Sequence, residues 1–252
     1  MTHKGILVAA LLGLTQLGFN MYMTSDGKRP VRWYREEVPV VLDSRGTPDL
    51  PFASVEAEVR GACGTWNAVD WCRHPVLTDG GVASGLEPGD PEAGGTSKNL
   101  VIFENADQWV AHGHGGEDRV VALTTLYYEP SSGKIHKFDM EFADFQFRFT
   151  TTDNPDQVGT DLRNTATHEF GHVLGLDHST YVAATMYPTA PEGELSKRTL
   201  SADDMAGLCA VYANWSPEEA DQGCAAGRAN TSPAVLLLAL GLVMALRRRS
   251  CA

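Results

Sequence analysis

Between residues 168 and 178 the sequence reads HEFGHVLGLDH, which puts three of the chain's eight histidines and a glutamate into one short stretch. On a helix, His168 and His172 stand four apart, so both imidazoles project from one face about a turn apart. Such a pair can bring two ring nitrogens to a single zinc ion at about 2.0–2.1 Å. Gly175 suits the left-handed turn that ends a helix, and the reversed chain can return His178 as a third nitrogen ligand. Three protein ligands leave a fourth position for water, which marks a catalytic rather than a structural zinc. Glu169, next to the first ligand, is placed to act on that water as a general base. A structural zinc would want a fourth protein ligand, and Asp177 points away if His178 points in.

Two other readings compete. The histidines can be core residues satisfied by hydrogen bonds, or the zinc site can be intact in a surface adhesion or binding module that does not turn over. Glu169 favours the enzyme, because a binder has no need of a carboxylate beside an open metal position.

The motif needs a scaffold. With 252 residues, 43% of them hydrophobic, the chain can bury one good core. Val38 to Asp43 (VPVVLD), Asn99 to Glu104 (NLVIFE) and Arg119 to Glu129 (RVVALTTLYYE) read as strands, and GKIHKFDMEFAD opens another. Ser54 is expected to cap a helix whose apolar residues fall at 55, 59, 62, 66 and 69. Asp161 caps the helix that carries the motif, and Ser201 caps a closing helix over Leu200 to Tyr212. The glycine- and proline-rich stretch from Thr78 to Asn99 reads as a loop. His112 and His114, set among glycines between Ala111 and Gly116, are of a type that binds metal but read here as part of a solvated loop. Strands that come early, with helices before and after, predict an α+β domain.

Both ends differ from the middle. Ile6 to Phe19 is an apolar run behind His3 and Lys4, whose length and flank suit a secretory signal better than a spanning helix. No clean small-x-small pattern follows, so residues 1–24 are expected to be a signal peptide or an N-terminal anchor. A catalytic domain is expected over 30–215, and a linker and hydrophobic tail over 216–252. Ala234 to Leu246 is apolar and precedes Arg247, Arg248 and Arg249. As a helix it would span only about 20 Å. With Cys224 before it, this tail resembles the myxobacterial C-terminal sorting signal; a plain tail anchor is the alternative. The expected location is therefore secreted or at the cell surface, with membrane contact only through the terminal segments.

All 32 acidic residues lie between Asp26 and Asp221, whereas five of the 20 lysines and arginines lie outside that span, so the body is more acidic than the net charge of −12 indicates. That balance argues against nucleic acid as a partner. Export implies an oxidising compartment. If the tail takes Cys224 and Cys251, then Cys63, Cys72 and Cys209 remain, three pairings are open, and one thiol is left over.

HEFGHVLGLDH, followed by Met186 in Met-Tyr-Pro-Thr, resembles the metzincin metalloproteases, and the wording is closest to the matrixins. The resemblance covers roughly Arg32 to Tyr212. It implies a zincin-like α+β fold: a twisted, mostly parallel sheet of about five strands with an antiparallel edge strand, and three helices. It implies a zinc metalloendopeptidase holding one catalytic Zn2+ on His168, His172 and His178, with Glu169 catalytic, Met186 in a tight turn beneath the metal, and a protein or peptide as substrate. By the same analogy Val120 to Tyr128, with Leu123 in it, is the edge strand that pairs with substrate backbone. Tyr187 and Pro188 form a wall of the pocket for the side chain after the scissile bond. A monomer is expected.

Two departures stand out. The interval between the apolar N-terminal run and the first strand has no cysteine, so restraint by location and tethering is expected in place of a cysteine-ligated pro-segment. The histidine pattern that holds a second zinc in that family is not evident between Ala122 and Asp144, where His136 and Asp139 echo it weakly. Asp139, Glu141 and Asp144 are of a type that binds Ca2+, and serve equally well as a solvated strand edge.

Overall fold

The computed structural model describes residues 17–115, 119–154, 157, 159–217 and, for its backbone, 234–239. In chain order the elements are β1 (Asn20–Met21), β2 (Glu37–Asp43), α1 (Phe52–Asn67), β3 (Val76–Ala83), β4 (Leu100–Glu104), α2 (Ala106–Ala111), β5 (Ala122–Tyr128) and β6 (Ile135–Ala143). There follow β7 (Phe149–Thr150), β8 (Thr160–Asp161), α3 (Leu162–Val173), β9 (Leu176–Asp177), α4 (Ala202–Val211) and β10 (Ala234–Ala239).

The main sheet runs β10-β5-β6-β4-β2-β3. β3, β2, β4 and β6 are mutually parallel, and β5 is antiparallel to β6. This is the expected zincin-like α+β arrangement of five strands with one antiparallel, flanked by α1, α3 and α4, with the short α2 in addition. β6 shows how the sheet divides its faces. Because successive side chains alternate, Phe138, Met140 and Phe142 enter the main core, where Phe138 meets Phe170 of α3 edge to face at 6.4 Å. Between them, Lys137, Asp139 and Glu141 take the other face, where the chain from 84 to 99 crosses and Gly89 binds both Lys137 and Asp139. The expected apolar face of α1 is buried as Val55, Val59, Ala62, Cys63 and Trp66, and the Trp66 indole donates to Thr167 O of α3 at 2.8 Å.

Four local expectations need correction. α1 begins at Phe52 behind Pro51, with no side-chain cap, so Ser54 lies inside the helix. Residues 76–83 are a strand, so the loop expected from Thr78 to Asn99 begins only after Ala83. The glycines that hid it are what β2 requires: a Cβ on Gly80 would sit 2.9 Å from the Val40 carbonyl, beside the register shift between Val40 and Leu42. His112 and His114 are not solvated; both bond carboxylates on the sheet. Finally, 234–239 is a strand antiparallel to β5 rather than part of a helix, so β5 is not at the edge in this arrangement.

Cys72 is bonded to Cys209, a pairing the sequence left open. It ties the chain after α1 to α4. Among the described residues Cys63 is the free thiol, and burial pushes it up to about 12. Cys224 and Cys251 lie outside the described residues, as do 6–16 of the apolar N-terminal run and 240–252 of the tail. Among the described residues no helix is long and apolar enough to cross a membrane. Packing begins as early as Gly18: its amide and that of Phe19 donate to Asp203 Oδ1, β1 pairs with β9, and Tyr22 is buried in the main core.

Candidate metal centre

Asp161 accepts a hydrogen bond from the Asn164 amide at 2.8 Å and starts α3 as expected. The helix ends at Val173, and Gly175 takes φ +93°. A Cβ there would lie 2.3 Å from Val31 O, so both the turn and the close approach require glycine. The turn returns the chain along β9, and β9 delivers His178. The rings of His168, His172 and His178 then stand 4.8, 4.9 and 5.3 Å apart, centroid to centroid.

The other ring nitrogens fix the tautomers. His168 Nδ1 lies 2.6 Å from Thr185 O, and His172 Nδ1 lies 2.9 Å from Leu176 O and 3.1 Å from the Tyr22 hydroxyl. With Nδ1–H donating to a carbonyl, each Nε2 keeps its lone pair. All three Nε2 atoms are buried without a partner, and the ligand atoms of the three rings fall within 4.8 Å of one another. Burial lowers the pKa of each ring, so neutral imidazole is favoured. Three buried, unpartnered ring nitrogens on one centre fit a divalent cation.

Glu169 is fully buried beside this trio. Its Oε2 accepts from the Thr124 hydroxyl of β5 at 2.7 Å, and its Oε1 has no partner. Burial lifts its carboxyl to about 8, against the opposing pull of the Thr124 hydrogen bond. Beneath the rings lies Met186, 1% exposed, with the amides of Thr185 and Met186 held by Asp204 of α4 at 2.8 and 2.9 Å. The Met186 sulfur would be 2.2 Å from a Cβ on Gly171, which explains a glycine in the middle of the helix between the two ligands.

Residues 79–213 match the matrixin family, Peptidase_M10. The chain belongs to the matrixin family. It is 31% identical over 189 residues to metalloendoproteinase 4-MMP of Arabidopsis thaliana, covering 72% of this chain and 48% of that one. It is 30% identical over 167 residues to stromelysin-1 of Mus musculus and 46% identical over 170 residues to macrophage metalloelastase of Oryctolagus cuniculus, covering in each case 66% of this chain and 30% of the relative. This matrixin chain thus spans less than half the length of these relatives.

The remaining site residues are placed as follows. Pro188 borders a cavity of about 750 Å³ that opens beside His168 and is lined also by Val121, Asn164, Thr165 and Lys197. Tyr187 borders a separate, smaller hollow with Val182 and Glu192, and its carbonyl accepts from the Lys197 ammonium. Leu123 turns its side chain into a small second core with Trp109, Val120 and Ala143, away from the histidines, so only its backbone is available to a substrate. His136 is exposed, and Asp139 is paired with Lys137 at 2.5 Å. Among the described residues, two groups of metal-ligand side chains converge: the histidine trio, and Glu104 with His114 and Glu141. Asp139 and Asp144 belong to neither.

Sequence reasoning missed Thr124, Tyr22, Asp203 and Asp204. The Ser201–Asp204 capping box was a partial signal for Asp204; its second role, binding the Met186 turn, has no local signature. Asp203 works in parallel, accepting from Ser179 Oγ at 2.6 Å just after the third ligand.

Proposed function

We propose that this matrixin is an exported zinc metalloendopeptidase that hydrolyses protein or peptide substrates. The observation that carries the reading is Glu169 Oε1, buried and unpartnered, beside three histidine Nε2 atoms that share one centre. His168, His172 and His178 would hold a zinc ion, which when bound would supply Lewis acidity toward the peptide carbonyl and a water. Glu169 takes the water proton through Oε1 and returns it to the departing amine, while Thr124 holds Oε2 and fixes the carboxylate plane. The backbone of β5 aligns the peptide by strand addition. That edge is paired with 234–239 here, so a substrate takes the place of that segment. The cavity beside His168 receives the side chain that follows the scissile bond, with Pro188 as one wall.

A binding module of the same fold would keep the histidines without needing Glu169. Casein or gelatin hydrolysis that a chelator abolishes, zinc restores and Glu169→Ala lacks would support the enzyme. A zinc-loaded chain that cleaves neither, nor a diverse peptide library, would refute it.

A further inference from the structure

The cavity that opens beside His168 has an ammonium in its wall. Lys197 is only 3% exposed, a burial at which a lysine is ordinarily paired with a carboxylate. Among the described residues it forms no ion pair, and its Nζ donates to the Tyr187 carbonyl alone. An ammonium carries three donors, so this one has more to offer than the protein around it accepts.

Its place is fixed from α3. Lys197 lies in a short turn, Ser196–Arg198. Its amide donates to Asn164 Oδ1 at 2.7 Å, and the neighbouring Arg198 Nε donates to Asp161 Oδ1 at 2.8 Å. Both acceptors stand at the start of the helix that carries His168 and His172, so the ammonium keeps its position relative to the rings. Asn164 lines the same cavity, and with its Oδ1 engaged the polar group it has left is the Nδ2 donor. Burial is the main influence on the His168 and Glu169 pKa values, and the Lys197 charge lowers both. The cation therefore acts within reach of the reacting centre.

We propose that Lys197, helped by Asn164, makes this cavity select glutamate or aspartate at the substrate position that follows the scissile bond. The inference rests on the protease reading above and narrows its substrate class. The ammonium is already desolvated in the folded chain, so a carboxylate that enters meets a preorganised partner, and charge-assisted hydrogen bonds are the strong ones. Glu192 and Glu194 also line the cavity. Glu194 Oε1 accepts from Ser196 Oγ, and its Oε2 is buried without a partner. A carboxamide could serve both Lys197 and that oxygen, which makes glutamine the informative competitor. Lys197 is the more deeply buried of the two, and only a carboxylate meets its charge.

Peptide hydroxamates test this by binding, whatever the rate of turnover. The hydroxamate anchors on the zinc, and the side chain next to it is that of glutamate, glutamine or leucine. Calorimetry on the zinc-loaded full chain should show the glutamate compound binding about 10–100-fold more tightly than the glutamine one. Lys197→Met should abolish that ratio, and Lys197→Arg should keep part of it. A purely structural lysine would weaken all three compounds alike and leave the ratio unchanged. If Lys197→Met does not fold, the ranking in the unaltered chain still decides. Glutamine or leucine bound as tightly as glutamate there, or a glutamate preference that survives Lys197→Met, would overturn the inference. Selective binding without cleavage of any peptide would refute the protease reading and leave the acidic selectivity standing; binding of none of the three would overturn both.

Discussion

Replacing Asp204 by alanine should weaken the fold and the metal centre together. One carboxylate accepts from the Thr185 and Met186 amides at 2.8 and 2.9 Å and from Ser201 N and Oγ at 2.8 and 2.7 Å. Both turn amides are buried, and each left without an acceptor costs about 1–3 kcal/mol. Losing the reciprocal cap of α4 adds about 1 kcal/mol, for a total of about 3–7 kcal/mol. A domain of this kind has only about 5–15 kcal/mol in hand. Thr185 also offers the carbonyl that orients His168, so zinc affinity should fall by about 10–100-fold, the usual effect of losing such support. Asp204→Asn keeps one acceptor oxygen and should lose about half as much stability. Urea unfolding of the zinc-loaded and metal-free forms, with zinc affinity from chelator competition, reads both effects. An alanine variant within about 1 kcal/mol of the unaltered chain, with zinc affinity unchanged, would show that the turn does not depend on Asp204 and refute the reasoning.

Further outcomes follow from the same geometry. Glu169→Ala should keep zinc but lose hydrolysis by about 10²–10⁴-fold, read as kcat/KM beside metal content; equal turnover removes Glu169 from the chemistry. Gly171→Ala drives a methyl into the Met186 sulfur and should cost about 1–3 kcal/mol in urea unfolding. Cys72→Ser with Cys209→Ser should lose about 2–5 kcal/mol, whereas alkylating reagents should leave the buried Cys63 untouched until the chain unfolds. Burial depresses the His168, His172 and His178 pKa values. The unfolded chain therefore takes up protons first, and the metal-free domain should lose stability as pH falls below about 6.5. Urea midpoints that stay level between pH 7.5 and 5.5 would contradict this.

What the sequence revealed and what it hid divide along physical lines. α3 was legible because its determinants are local: Asp161 at one end, Gly175 at the other, and ligands spaced by the helical repeat. β2, β4, β5 and β6 were legible as β-branched and aromatic runs. β3 was not, because Gly80 and Gly81 are ordinarily breakers, and only the approach of the β2 backbone turns them into a requirement. Thr124 meets Glu169 across 45 residues and Tyr22 meets His172 across 150, separations that no periodicity reports. His112 and His114 looked solvated because their neighbours in the chain are glycines. Their actual surroundings are Glu104 and Glu141, supplied by other strands.

The bond between Cys72 and Cys209 encloses a covalent ring in which every residue of both ligand clusters resides. A chain that is clipped at an exposed segment inside that ring stays one molecule. The two pieces would separate on a gel only after a reductant is added, and until then a nicked chain would keep its ligands within reach of one another.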